Sequence, residues 1–340
     1  METVRRRRFL IAAGAVLATP LVRARAASKL PVLGMLLPGP KDAPATPAAW
    51  RALFLKRLRE LGWVEGKTLL IEKAYSGKNL DRLPEMAAML VKRGVDVIWA
   101  PSPLGAVAAA RATSTIPIVF WRVGFPDKFG LIDSYARPGR NVTGLAWVDT
   151  DLYVKRYQLL REIAPHAARV AALANAPGSW RTVSGGFVDW KGFIDKVNAE
   201  KRALGFEAKT VFVRQLADVD GAFAAIEHWG ADSLMVYESP QILLARKQII
   251  DFARRRRLID MYEASEWTAA GGLISYGIVP ASTLLRSADM VDRILKGAKP
   301  ADMPVEMPSQ YELVLNRAVA TKQGFTFPQT VLFRADQVIG

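Results

Sequence analysis

The chain has 340 residues, is 51% hydrophobic with a mean hydropathy of +0.10, and carries a formal net charge of +15 without a single cysteine. The missing cysteines exclude disulfides and thiolate metal sites, so stability must come from packed cores. The charge does not point to nucleic acid, because the basic residues are scattered over helical stretches beside Glu and Asp. The densest later run, Arg254 to Arg257, ends an amphipathic helix where cations complement the dipole.

Residues 1–26 read as an export signal that is removed. Arg5 to Arg8 form a basic region, Ile11 to Leu21 a short apolar segment, and Ala24-Arg25-Ala26 a small-x-small cleavage pattern. The run Arg6, Arg7, Phe9, Leu10 resembles a twin-arginine signal. Removing this segment takes away six arginines and one glutamate, which lowers the charge from +15 to +10. The apolar segment is too short to span a bilayer comfortably, and nothing later reaches the roughly 20 apolar residues a spanning helix needs. The expected location is periplasmic, with cleavage near Ala26.

The remaining chain alternates strand and helix. Pro31–Leu37 reads as a strand, followed by a helix with apolar Trp50, Leu53, Phe54, Leu58 and Leu61 at three- and four-residue spacing. Strands are expected at Leu69–Ala74, Val95–Ala100 and Ile116–Trp121, with helices at Asp81–Arg93 and Ser102–Arg111 between them. The rhythm restarts after Trp147 with a helix to Ile163. Strands follow at Arg169–Leu173, Ala208–Val213, Ser233–Tyr237 and Leu258–Tyr262, with helices at Val188–Leu204, Leu216–Trp229 and Pro240–Arg257. Gly271–Tyr276, a helix over Ala281–Leu295, a strand at Tyr311–Leu315 and a short helix complete the chain. This order predicts an α/β protein with two doubly wound parallel-sheet lobes, and the length suits two cores better than one.

The stretch Ile116–Trp147 organises the rest. An apolar run leads into a loop with Gly124, Pro126 and Asp127, where Pro126 is expected in the first turn of a short helix. Arg137-Pro138-Gly139 then breaks the chain before a second strand, Asn141–Trp147. Loops leaving the carboxyl ends of parallel strands form the ligand crevice of such sheets, so the ligand is expected here.

Several segments carry a family resemblance: Leu61-Gly62-Trp63-Val64-Glu65-Gly66, Asp81-Arg82-Leu83-Pro84, Ile116-Pro117-Ile118-Val119-Phe120, Arg137 to Gly144, Ala269 to Gly277, Arg293 to Asp302, and Tyr311 to Asn316. In this order the chain resembles the substrate-binding proteins of ABC transporters, of the tryptophan/tyrosine type, which share the periplasmic-binding-protein type I fold. The resemblance implies a hinged, Venus-flytrap clamp that holds a small solute and delivers it to an ABC permease, with which it docks transiently. A monomer is implied, with neither cofactor nor nucleic-acid partner. It places the hinge crossings near Trp147, Ser275 and Pro308. The lobes are then 27–146 plus 275–305, and 147–274 plus 306–340.

Candidate contacts lie at strand carboxyl ends. In the first lobe these are Pro38, Ser102, Arg122, Phe125 and Asp127; in the second they are Tyr237, Glu238, Tyr262 and Glu263. Trp147 and Tyr276 sit at hinge crossings, where a flat side chain can stack on a ligand. Ser102 serves equally as a helix cap or as a carboxylate contact. The family's Gly-Asp-Pro after the fourth strand is Gly124-Phe125-Pro126 here, and the turn Ala174 to Trp180 lacks the Asn-Pro-Asn pattern. Both departures make the pocket more apolar. Trp121, Phe125, Trp147 and Trp180 suggest an aromatic or otherwise flat carboxylate, with Arg122 as its anion partner; an amino acid is the other candidate.

An exported enzyme or a ligand-sensing protein would use the same cleft. Only His166 and His228 offer imidazole bases, and neither has a Ser or Asp in a nucleophile arrangement. Glu238 and Glu263 could form the carboxylate pair of a glycosidase across the cleft, although holding a solute's amines or hydroxyls is the commoner use of such groups. No catalytic residue and no metal ligand is assigned.

Overall fold

The computed structural model describes residues 29–42, 45–147, 150–176 and 180–340. The export signal expected over 1–26 lies outside them. Strands β1 (Val32–Leu37), β2 (Leu70–Tyr75), β3 (Val97–Ala100), β4 (Ile118–Val123) and β5 (Val142–Ala146) form an all-parallel sheet in the order β2-β1-β3-β4-β5. β1, β3, β4 and β5 are buried along their whole length, as expected of near-continuous apolar strands covered on both faces. Helices α1 (Ala45–Glu60), α2 (Leu83–Lys92) and α3 (Pro103–Ala112) supply the crossovers. α2 and α3 cover one face, while α1 covers the other beside a later helix.

The second lobe contains α4 (Thr150–Ile163), β6 (Arg169–Asn175), α5 (Lys191–Ala203), β7 (Glu207–Val213), α6 (Val219–Trp229), β8 (Ser233–Val236), α7 (Pro240–Leu244), α8 (Arg246–Arg256), β9 (Ile259–Tyr262), α9 (Ser265–Ala269) and β10 (Ile274–Ile278). The chain then returns to the first lobe as α10 (Pro280–Leu295), and goes back for β11 (Tyr311–Asn316), α11 (Arg317–Gln323), α12 (Gln329–Arg334) and β12 (Gln337–Ile339). The seven strands run β12-β11-β10-β9-β8-β6-β7, all parallel except the antiparallel β10/β11 pair.

The structure corrects several boundaries. β10 pairs with β9 and β11 in the second sheet, so the return crossing falls at Val279, after the strand, rather than near Ser275. Residues 275–278 therefore pack with the second lobe. A Cβ on Gly277 would collide with the Glu263 carbonyl, so the close approach of this strand to the end of β9 requires glycine. The helix expected over Pro240–Arg257 is broken at Ala245 into α7 and α8. Pro126 opens a run of turns over 126–130 instead of a helix.

Residues 180–190, which precede α5, reach across to the first lobe. They form a short arm pinned by an Arg181–Phe187 bridge and by Thr182 N–H donating to the Gly186 carbonyl at 2.9 Å. Val183 N–H donates to the Phe129 carbonyl at 2.8 Å, and Arg111 of α3 donates to the carbonyls of Thr182 and Val183 at 2.5 and 3.3 Å. Trp180, Val183, Val188 and Trp190 pack against the α2/α3 face core of the first lobe.

Candidate functional site

The floor of the cleft is built at the end of β4. Trp121 pairs with Leu145 and Val123 with Ala146, leaving Arg122 as an extra residue in a β-bulge, with φ of 62°. Phe125 also lies in the left-handed region, at φ 53°. Non-glycine residues at positive φ cost of order 1–3 kcal/mol each and cluster at functional sites. Here the bulge aims the Arg122 side chain into the cleft. Its guanidinium lies over the Trp147 ring at 4.0 Å and over Trp50 at 4.4 Å, forms an ion pair with Glu238 at the end of β8, and has Glu266 at 3.9 Å. Burial pulls its pKa down to about 10, against the opposing pull of Glu266 and Glu263.

A second buried pair lies beside it. Glu263, after β9, accepts from Arg156 of α4 at 3.0 Å and from the Glu238 backbone N–H at 2.9 Å. Burial pushes the Glu263 carboxyl up, while Arg156, Tyr153 and Arg122 pull it back. Arg156 also donates to the Tyr276 carbonyl at 2.7 Å, tying α4 to β10. Glu238 takes a further hydrogen bond from the Trp267 indole at 2.9 Å. Both carboxylates are thus satisfied within the protein.

Above this floor lies a cavity of about 230 Å³, lined from both lobes. Its wall is aromatic. Phe125 meets Trp190 and Phe193 edge-on at 5.7 and 5.5 Å, Tyr153 meets Phe193 and Tyr237 at 4.9 Å each, and Phe129 meets Trp180 at 5.7 Å. Such edge-to-face sets hold rings at fixed angles. Two helices begin at its rim with the same Ser-Pro pair. Ser102 Oγ accepts the Gly105 N–H at 3.0 Å, and Ser239 Oγ accepts the Ile242 N–H at 3.2 Å. Also in the lining, Lys201 of α5 is 4% exposed, and burial lowers its ammonium to about 8. A smaller chamber of about 100 Å³ lies on the other side of Arg122, lined by Pro38, Trp50, Tyr75 and Trp121 among others.

Residues 47–339 match the family model described as ABC transporter substrate binding protein. The chain belongs to that family. A curated relative, the tyrosine-binding protein of Clostridioides difficile strain R20291, is 22% identical over 265 residues, which are 77% of this binding protein and 73% of the relative. Among solved structures, a conserved domain protein from Vibrio cholerae superposes with a TM-score of 0.80 at 25% identity, covering 91% of this chain and all of the other. An ABC domain from Streptococcus pneumonia, solved in complex with L-Trp, gives 0.78 at 22% identity, covering 92% and 100%. The two-lobed α/β fold of this substrate-binding protein is that of these neighbours.

Of the residues singled out from the sequence, Ser102, Arg122, Phe125, Trp147, Tyr237, Glu238 and Glu263 line the main cavity of the binding protein, and Pro38 lines the smaller chamber. Three do not reach the cavity. Asp127 is exposed and accepts from Tyr135 at 3.2 Å, so it does not stand in for the acid that Phe125 displaces. Tyr262 is fully buried, stacked on Trp267 at 4.7 Å. Tyr276 is not among the lining residues; its carbonyl accepts from Arg156 at 2.7 Å. Glu238 and Glu263 both come from the second lobe, so they do not face each other across the cleft. Arg122 is in the cleft, but its charge is already matched by Glu238.

Sequence reasoning missed Tyr153, Asn175, Trp190, Phe193 and Lys201. One signal was available. Phe193, Val197 and Lys201 recur at four-residue spacing on one stripe of α5, and a lysine on an apolar stripe is a polar group turned inward.

Proposed function

We propose that this protein is an extracytoplasmic receptor that captures a flat aromatic solute between its lobes and passes it to an ABC permease in the inner membrane. The observation that carries this reading is the aromatic wall around a cavity of about 230 Å³, supplied by both lobes. That volume is below the range of about 300–1,000 Å³ usual for drug-sized ligands, which suits a solute of one or two rings. The relative named for tyrosine and the neighbour solved with L-Trp favour an aromatic solute as well. A free α-amino acid suits this cavity less well, because Glu238 and Glu263, the carboxylates that would take its ammonium, are bound by Arg122 and Arg156.

The signal-like residues 1–26 support export to the periplasm, with a twin-arginine pattern, and no described helix is long and apolar enough to cross a membrane. The receptor works as a monomer that docks transiently on its permease, and it binds without catalysing. His166 and His228 are exposed and outside the cavity, and the two cavity carboxylates are engaged.

The test is a thermal-shift screen of the purified protein against aromatic acids, aromatic amines, aliphatic amino acids and sugars. A solute at 100 times its dissociation constant stabilises by about 2.7 kcal/mol. Shifts from aromatic compounds are expected. Shifts from sugars or aliphatic amino acids alone would overturn the aromatic reading.

A further inference from the structure

The cavity lining holds a cation that no described carboxylate neutralises. Lys201 lies on the inward stripe of α5, and its ammonium makes two contacts, one polar and one with a ring. One is the Asn198 side-chain oxygen, which accepts from it at 3.3 Å; the other is the Tyr157 ring, at 5.1 Å. No carboxylate of a described residue forms an ion pair with it. Lysine is almost never fully buried unless paired, and burying an ammonium without a counter-charge is costly.

Asn175, at the end of β6, lines the same cavity. It is 7% exposed, and neither its amide nitrogen nor its side-chain oxygen has a hydrogen-bond partner among the described residues. Orphaned polar atoms on a buried side chain call for an explanation, and one explanation is a ligand. The remaining charges pair off: Arg122 with Glu238 and Arg156 with Glu263. Among the described residues lining the cavity, Lys201 is thus a cation without an ion-pair partner and Asn175 a side-chain amide without a hydrogen-bond partner, both on second-lobe elements; the Trp190 indole N–H is unpartnered as well.

We propose that Lys201 and Asn175 form an anion-binding end of the cavity that selects aromatic solutes bearing a carboxylate. The ammonium of Lys201 takes one carboxylate oxygen, the Asn175 amide donates to the other, and the ring lies along the aromatic wall formed by Phe125, Trp190 and Phe193. Closure on such a ligand neutralises the buried lysine and satisfies the asparagine in one step. Arg122, the arginine that the sequence suggested for this task, instead ties the floor of the cleft to Glu238. This inference rests on the aromatic-solute reading and adds the sign and position of the charge.

The test compares three probes of similar shape by titration calorimetry on the purified protein: indole-3-acetate, indole-3-acetamide and tryptamine. The acid is expected to bind about tenfold or more tightly than the amide, as a charge-assisted hydrogen bond allows, and tryptamine more weakly still. Lys201→Met should bring the acid-to-amide ratio close to one. Amide or amine binding as tightly as the acid would overturn the charge assignment while leaving the aromatic reading in place. Failure of all three probes to bind would overturn the aromatic reading and the inference together. A Lys201→Met protein that keeps the full preference for acid would overturn the role of Lys201. The three-probe comparison needs no variant, so a poorly folded Lys201→Met protein would not prevent the decision.

Discussion

Arg122 leaves the first sheet at a bulge and ends on Glu238, two residues beyond a strand of the second sheet. The pair is nearly inaccessible, and the guanidinium lies over the rings of Trp147 and Trp50. Removing one partner of such a pair strands a buried charge, which typically costs about 3–5 kcal/mol, whereas replacing both with neutral groups is often close to neutral. Arg122→Met alone is therefore expected to lower unfolding stability by several kcal/mol, and Arg122→Met with Glu238→Gln by much less. A double-mutant cycle in urea checks this; additive losses would show that the two residues do not act as a pair.

The arm over residues 180–190 closes one side of the cavity and is held on α3 by Arg111. Arg111 is exposed, and its two hydrogen bonds end on backbone carbonyls. Arg111→Ala should cost less than about 1.5 kcal/mol of stability, near the net worth of one hydrogen bond. It should speed release of a bound solute several-fold. Stopped-flow tryptophan fluorescence reads this through Trp180 and Trp190; an unchanged off-rate would mean that the arm does not gate the cavity.

Asp260 on β9 is 2% exposed and accepts the Leu273 N–H at 3.0 Å. Burial raises its carboxyl to about 6 from an ordinary 3.8. Between those values the folded protein holds a proton that the unfolded chain releases, so the contribution of this group is present at low pH and is lost as pH rises through about 6. The loss is on the order of 3 kcal/mol. Asp260→Asn should abolish that part of the pH dependence and raise stability at pH 7 relative to pH 4.5. Urea midpoints of both proteins at the two pH values decide the matter.

Gly277 has no room for a methyl group against the Glu263 carbonyl. Gly277→Ala is expected to displace β10 and with it the Arg156–Tyr276 hydrogen bond, at a cost of roughly 1–3 kcal/mol, as for overpacking elsewhere. Differential scanning calorimetry should show a lowered Tm, and weakened solute binding should accompany it. An unchanged Tm would mean that the backbone relaxes freely there.

The alternation of strand and helix was legible because buried parallel strands such as β1, β3 and β4 are short, continuous apolar runs, which single-chain periodicity detects well. The loop after β4 was legible as a site for the same reason. The bulge at Arg122 was not, since a left-handed arginine has no glycine or asparagine to announce it. β4 also runs two residues past the expected end at Trp121, because a charged Arg122 interrupts the apolar run that marks the strand. Pairings such as Glu238 with Arg122 and Glu263 with Arg156 join positions more than 100 residues apart, and no local rule encodes them. β10 followed the second lobe because its antiparallel partner, β11, comes 33 residues after its end and outweighs the chain's direction of travel toward α10. Lys201 could have been noticed on the apolar stripe of α5, but helical periodicity alone reads a single charge there as noise.

The 180–190 arm belongs to one lobe by chain connectivity and to the other by packing, since Val188 is buried against the α2/α3 side of the first sheet with Trp180 and Trp190 beside it. The two halves are consequently not interchangeable modules. A fragment holding only the first sheet and its helices would leave an apolar face bare, and chimeras with a relative's second lobe would have to import a compatible arm along with it. Swapping specificity within this family by exchanging whole lobes is therefore constrained by a surface that lies outside both the hinge and the ligand's own contacts.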